Sequence, residues 1–102
     1  MTSYRMLLNG DLGITLQGNS QGALSVSGTA AQTAAFTADG YYDMWSDVDV
    51  WIKIAATAND VTTSTGYLIV ANTVVPNFMI NRNERIGAIA GGAGTLRYHK
   101  VS

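Results

Sequence analysis

Between Val48 and Ile54 the side chains alternate residue by residue. Val48, Val50, Ile52 and Ile54 take one side, and Asp49, Trp51 and Lys53 the other. A period of two belongs to an extended strand with one face buried, and no helix collects that pattern on a single stripe. This strand must therefore find a core on one face and present Trp51 on the other. The same grammar recurs around it: Leu96 and Tyr98 alternate with Arg97 and His99, and β-branched or aromatic residues dominate Gly66–Val70 and Val74–Ile80. Upstream, Gly10, Gly13, Gly18, Gly22, Gly28 and Gly40 cut the chain into short pieces. Those pieces, Tyr4–Leu8, Ile14–Leu16, Ala23–Ser27, Gln32–Phe36 and Tyr41–Trp45, read as strands and turns.

Helices fail for definite reasons. Thr29–Ala38 is rich in alanine but has no start or stop signal and only Phe36 as a large anchor, so it reads as a strand or an extended lead-in. Ala55–Thr65 offers one turn around Ala58-Asn59-Asp60, but Val61-Thr62-Thr63-Ser64-Thr65 is β-branched and hydroxylated. It reads as a long loop. Pro76, the one proline, removes a ladder donor from Val74–Ile80, which places that segment at a sheet edge or at a bulge. Gly91-Gly92-Ala93-Gly94 lies between Arg85–Ala90 and Thr95–Val101 and predicts a C-terminal hairpin whose glycines take positive φ. Eight or nine short antiparallel strands in 102 residues do not fit one open sheet. The expected fold is therefore all-β: a small, jelly-roll-like antiparallel β-sandwich in a single domain over residues 1–102, with 1–30 as a partly extended N-terminal segment.

Composition removes whole classes of function. Charged residues are 13% of the chain, against about 25% in a typical soluble domain. Six basic and seven acidic residues give a net charge of −1, so no field recruits nucleic acid or an anionic membrane surface. With no cysteine there are no disulfides, thiolate zinc sites or cysteine nucleophiles. No stretch approaches the roughly 18 apolar residues of a membrane span, and Met1–Gly10 lacks a signal-peptide layout, so synthesis in the cytoplasm is expected.

Chemistry-bearing clusters are sparse. His99, the one histidine, stands between Arg97 and Lys100 without an evident orienting partner or nucleophile. Asp43, Asp47 and Asp49 lack the glycine and distal glutamate of a calcium loop and read as a solvated turn that Asp47 shapes through a bond to backbone. The glycine run Gly87–Gly94 lacks the Lys and Ser/Thr of a phosphate loop. The expectation is a non-enzyme with no catalytic residues, no metal site and no cofactor. Trp51 is the aromatic residue placed for a contact, because an outward tryptophan is typical of interface hot spots.

Several segments together resemble small virion proteins of tailed bacteriophages. They are Ala34-Ala35-Phe36, the strand Val48–Ile54, the loop Ala55–Ser64, Val75-Pro76-Asn77-Phe78, Arg85-Ile86-Gly87-Ala88-Ile89 and Gly94-Thr95-Leu96-Arg97-Tyr98. The likeness covers Thr33 to Val101 and departs at Ile54-Ala55, where the pattern has a glycine. It implies a head decoration, or cement, protein: a β-sandwich carried in many copies on the outer capsid, often as a homotrimer. The implied partner is the major capsid protein and the implied location is the virion, after synthesis in the host cytoplasm. Candidate partner contacts are Trp51, Val75, Pro76 and Phe78, with the polar N-terminal segment. Two other readings stand beside it. One is another virion component, such as a tail, spike or head-to-tail protein. The other is a small carbohydrate-binding module using Trp45, Trp51 or tyrosines on a flat face.

Overall fold

The computed structural model describes residues 21–102, and the expected strands Tyr4–Leu8 and Ile14–Leu16 lie outside them. The described residues form eight strands. They are β1 (Gln21–Val26), β2 (Ala31–Gln32), β3 (Gly40–Ser46), β4 (Val50–Ala55), β5 (Tyr67–Ile69), β6 (Val75–Ile80), β7 (Arg85–Ala90) and β8 (Gly94–Lys100). A first sheet has the order β1-β8-β3-β6 and a second the order β2-β7-β4-β5, with every paired neighbour antiparallel. β1 pairs with β8, β2 with β7, β3 with β6 and β4 with β5, so the chain is one long two-ply ribbon, doubled back after β4 and rolled into two sheets. That is the jelly-roll winding, and the all-β sandwich expected from the sequence is present.

Alternation decides which side chains enter the core. Along β3, Tyr42, Met44 and Ser46 point inward while Tyr41, Asp43 and Trp45 point out; along β4, Val50 and Ile52 are buried and Trp51 and Lys53 are not. Met44, Ile80 and Leu96 from the first sheet meet Val50, Ile69 and Ile86 from the second, all 1% exposed or less. Each such side chain contributes about 1.5–3 kcal/mol by leaving water. Farther along, Phe36 packs on Tyr42 and Tyr98, with ring centroids 5.0 and 5.6 Å apart. Burial pushes the Tyr98 hydroxyl above its ordinary pKa; at Tyr42 burial and then the neighbouring Tyr98 do the same.

The C-terminal hairpin is not formed. β7 belongs to the second sheet and β8 to the first, so Gly91–Ala93 is an arch that carries the chain across the sandwich. Nor do its glycines take positive φ: among the described residues the left-handed positions are held by Asn72, Asn77 and Asn83. Asparagine tolerates that region because its short side chain bonds locally. The glycine that matters at this arch is Gly94, where an added Cβ would strike Val48 and Asp47. The extended lead-in is shorter than expected: β2 holds two residues, after which Thr33 and Phe36 donate backbone bonds to Ile86 and Glu84. The Pro76 expectation holds on both counts. β6 is an edge strand, and between the pairs Tyr42–Phe78 and Met44–Val75 it carries one extra residue, a bulge with Asn77 at φ 68°.

Candidate functional site

Four links cross between the sheets at one end of the sandwich, and side chains lace them together. Asp47 accepts the backbone N–H of Thr95 at 2.8 Å, joining the β3–β4 arch to the start of β8. Asp49 accepts from Ala71 at 2.8 Å, and the Asn72 N–H donates to the Ser46 carbonyl at 2.7 Å, fixing the β5–β6 arch beside it. Ala90 donates to Ser27 at 2.8 Å, which brings in the β1–β2 link. Asp47, expected to shape its own turn, instead reaches Thr95, 48 residues away; the local side-chain bond in the turn runs from the Val48 N–H to Ser46 Oγ, and Asp49 likewise reaches 22 residues along the chain. Among the described residues no group of three or more His, Asp or Glu is arranged to hold a metal ion.

The loop after β4 is more ordered than its sequence suggests. It lies over the outer face of the second sheet, where Ala58 and Val61 are buried. An added Cβ at Gly87 would run into the Ala58 carbonyl, so this close approach of backbone requires glycine. The Ala58 N–H donates to Gln32 Oε1 at 3.0 Å, and Lys53 Nζ pairs with Asp60 at 2.7 Å in solvent. That bond holds the Asp60 carboxyl below its ordinary pKa.

The sequence candidates gather around the side of the sandwich where β5 and β6 form the two sheet edges. Tyr67 of β5 meets Phe78 of β6 edge to face, with centroids 5.8 Å apart, so the edges close on each other. Pro76 is exposed at the start of β6, whereas Val75 and Phe78 are half-buried and lean on the core. Trp51 stands on the outer face of β4 but is half-buried, with Gly66 against its Cβ. Trp51 faces outward as the alternation predicts, and the loop bearing Gly66 covers part of it.

Beside Tyr67, one of the tyrosines weighed for a flat binding face, the structure exposes residues that the sequence did not single out. Tyr67 (58% exposed), Leu68 (42%), Val70 (53%), Val74 (58%) and Met79 (44%) all lie on β5, β6 or their arch. At about half exposure the five together present roughly 400–500 Å², divided between the outer faces of the two sheets and the arch that joins them. That is the scale of a contact surface. The signal available in the sequence was the run of large apolar residues between Val61 and Asn81 with no charge among them. On the outer face of the first sheet His99 stands between Gln21 and Asp43, and Arg97 between Ala23 and Trp45. A concavity of about 470 Å³ lies here, lined by Gln21, Gly22, Ala23, Arg97, Tyr98 and His99.

Comparison of the chain with protein-family models, with curated proteins and with solved structures finds no match.

Proposed function

We propose that this chain is a structural protein of a bacteriophage virion, a decoration protein that binds the assembled head and stabilises it. The observation that carries the reading is the apolar, charge-free β5–β6 side, a surface made for contact with another protein surface. The virion setting rests on the sequence resemblance, and the jelly roll agrees with it as one of the architectures capsid domains use. Fold alone does not fix function, because lectin-type domains share the same winding.

In this reading the arch end of that side meets the major capsid protein, with Val70, Val74 and Pro76 leading. The mechanism is linkage: a protein that binds the assembled shell and not its separated subunits adds about 2.7 kcal/mol per site at 100 times its dissociation constant. Repetition over many sites multiplies the gain.

The test adds purified protein to capsids that lack it. Saturable binding, with a rise in the temperature or chelator threshold for DNA release, is the expected outcome. Because Tyr67–Ile80 carries no charge and the Asp49 carboxylate beside its arch is held on the Ala71 N–H, binding should change little between low and high salt. Binding to isolated tails would move the protein to another virion station. Binding to a glycan with no affinity for capsids would replace the reading with a carbohydrate module built on the Trp45 face.

A further inference from the structure

The concavity on the first sheet lies at the edge farthest from β6. There β1 carries only Ala23 outward and has no side chain at Gly22, so it forms low ground beside the long outward side chains of β8. Gln21, Arg97 and His99 rise around that ground and frame a hollow of about 470 Å³. Its floor is packed, because a Cβ added at Gly22 would strike the ring of Tyr98, which fills the space beneath. The hollow therefore belongs to the folded sheet and is not a gap left by loose packing.

The side chains that frame it are donors. The Arg97 guanidinium presents N–H groups in a planar fork, Gln21 an amide NH₂ and His99 a ring N–H, and no carboxylate lies in the lining. Among the described residues the one ion pair is Lys53–Asp60, so Arg97 has no carboxylate partner there. Arg85, by contrast, spends its guanidinium on the Thr33 carbonyl at 3.1 Å. The complement of such a fork is an oxyanion, a carboxylate or a phosphate. The volume falls within the range of about 300–1,000 Å³ that small-molecule sites occupy, and a bare inorganic ion would leave most of it empty. Asp43 stands behind His99 on β3, outside the hollow, and one arginine with an aspartate a strand away makes no positive stripe for a polyanion. What fits is an anionic head on a small organic body.

We infer that this hollow binds a small organic anion, its carboxylate or phosphate head on Arg97 with His99 and Gln21 donating beside it, and its body over Ala23. The site lies across the sheet from β6 and is measured on the free protein, so this inference and the capsid reading can each fail alone.

Benzoate and phenyl phosphate, titrated into the full chain and followed by NMR, separate the two heads. Benzyl alcohol supplies a body without the charge, and inorganic phosphate a charge without the body. Saturable shifts of the Gly22 and Ala23 amides and of the His99 ring are expected with benzoate, phenyl phosphate or both, and much weaker responses with the other two. Arg97→Gln should weaken binding about tenfold, whereas Arg82→Gln, at an exposed arginine between β6 and β7, should leave it unchanged. Ala23→Leu keeps every charge in place and fills the hollow, so it should abolish binding in a chain that still melts cooperatively; it decides the question should Arg97→Gln lose its fold. Shifts that never saturate, benzyl alcohol or inorganic phosphate binding as tightly as the organic anions, equal losses in the two arginine variants, or undiminished binding by a folded Ala23→Leu chain would overturn the proposal.

Discussion

The sandwich has two open sides, occupying equivalent places in the winding and built from different material. On one, β1 and β2 end the two sheets; on the other, β5 and β6 do. Charge does not distinguish them, since neither Gln21–Gln32 nor Tyr67–Ile80 contains a charged residue. Size does. The β1 side exposes Gln21, Ala23, Ser25 and Ser27, while the β5–β6 side exposes Tyr67, Leu68, Val70, Val74 and Met79. An edge without charge invites pairing. Of the two edges here, only one adds the apolar area that makes pairing strong. In this low-charge chain the two sides differ in side-chain volume and not in electrostatics.

The largest effect that tests this contrast lies just beneath the two edges. Ile69 of β5 is fully buried, and Ile69→Ala should cost about 2–5 kcal/mol through lost burial and the cavity left behind. Leu24 of β1 is only partly buried, and Leu24→Ala should cost about 1–2 kcal/mol in the same urea titration. Equal losses would mean that the two sides are equally well packed. At the surface, Val74→Lys should weaken capsid binding by about tenfold, or about 1.4 kcal/mol, whereas Ser25→Lys should leave it unchanged. A reversed ranking would move the contact to the other side.

Phe78→Leu keeps the apolar bulk but removes the ring that meets Tyr67, and should lower stability by about 0.5–1.5 kcal/mol in thermal melts. On the β1 side the comparable ring contact is internal. Tyr98 and Tyr42 hold pKa values raised by burial, so the folded state disfavours their ionisation. The stability this gives is complete below the unfolded value of about 10 and is lost as pH climbs through the folded values. Absorbance near 295 nm should therefore show two phenols ionising late, with unfolding close behind. The smallest effect belongs to Lys53→Ala. Its exposed pair with Asp60 contributes mostly at pH values above the ordinary carboxylate range and is screened by water, so the melting temperature should stay within experimental error.

Local pattern made part of this legible. The alternation in Val48–Ile54 assigned both faces of β4, and Pro76 marked an edge because a missing N–H is a local fact. What the pattern could not carry was the partner of each turn. Gly91–Ala93 reads as a hairpin until the sheets are known, because an arch and a hairpin need similar residues and differ only in where the next strand docks. Likewise Asp47 and Asp49 announce turns, but their acceptor roles toward Thr95 and Ala71 depend on chain brought in from far along the sequence. The contact side was half legible. Pro76 and Trp51 located it, while Leu68 and Met79 stayed hidden because an exposed apolar residue in a strand looks like a core residue until its face is known.

The doubled ribbon also sets a clock. Val50 meets Ile69 once the loop after β4 has turned back, but Gln21 meets His99 only when nearly the whole described chain has been brought round. Closing a longer loop costs more entropy, and chains dominated by distant pairings fold in milliseconds to seconds, not microseconds. Loop length therefore predicts closure outward from β4–β5, with the β1–β8 ply the last to zip. The side that offers the large apolar surface is then assembled early, while the other is still open. On that order the large apolar side chains of β5 and β6 stand in water before the winding is finished.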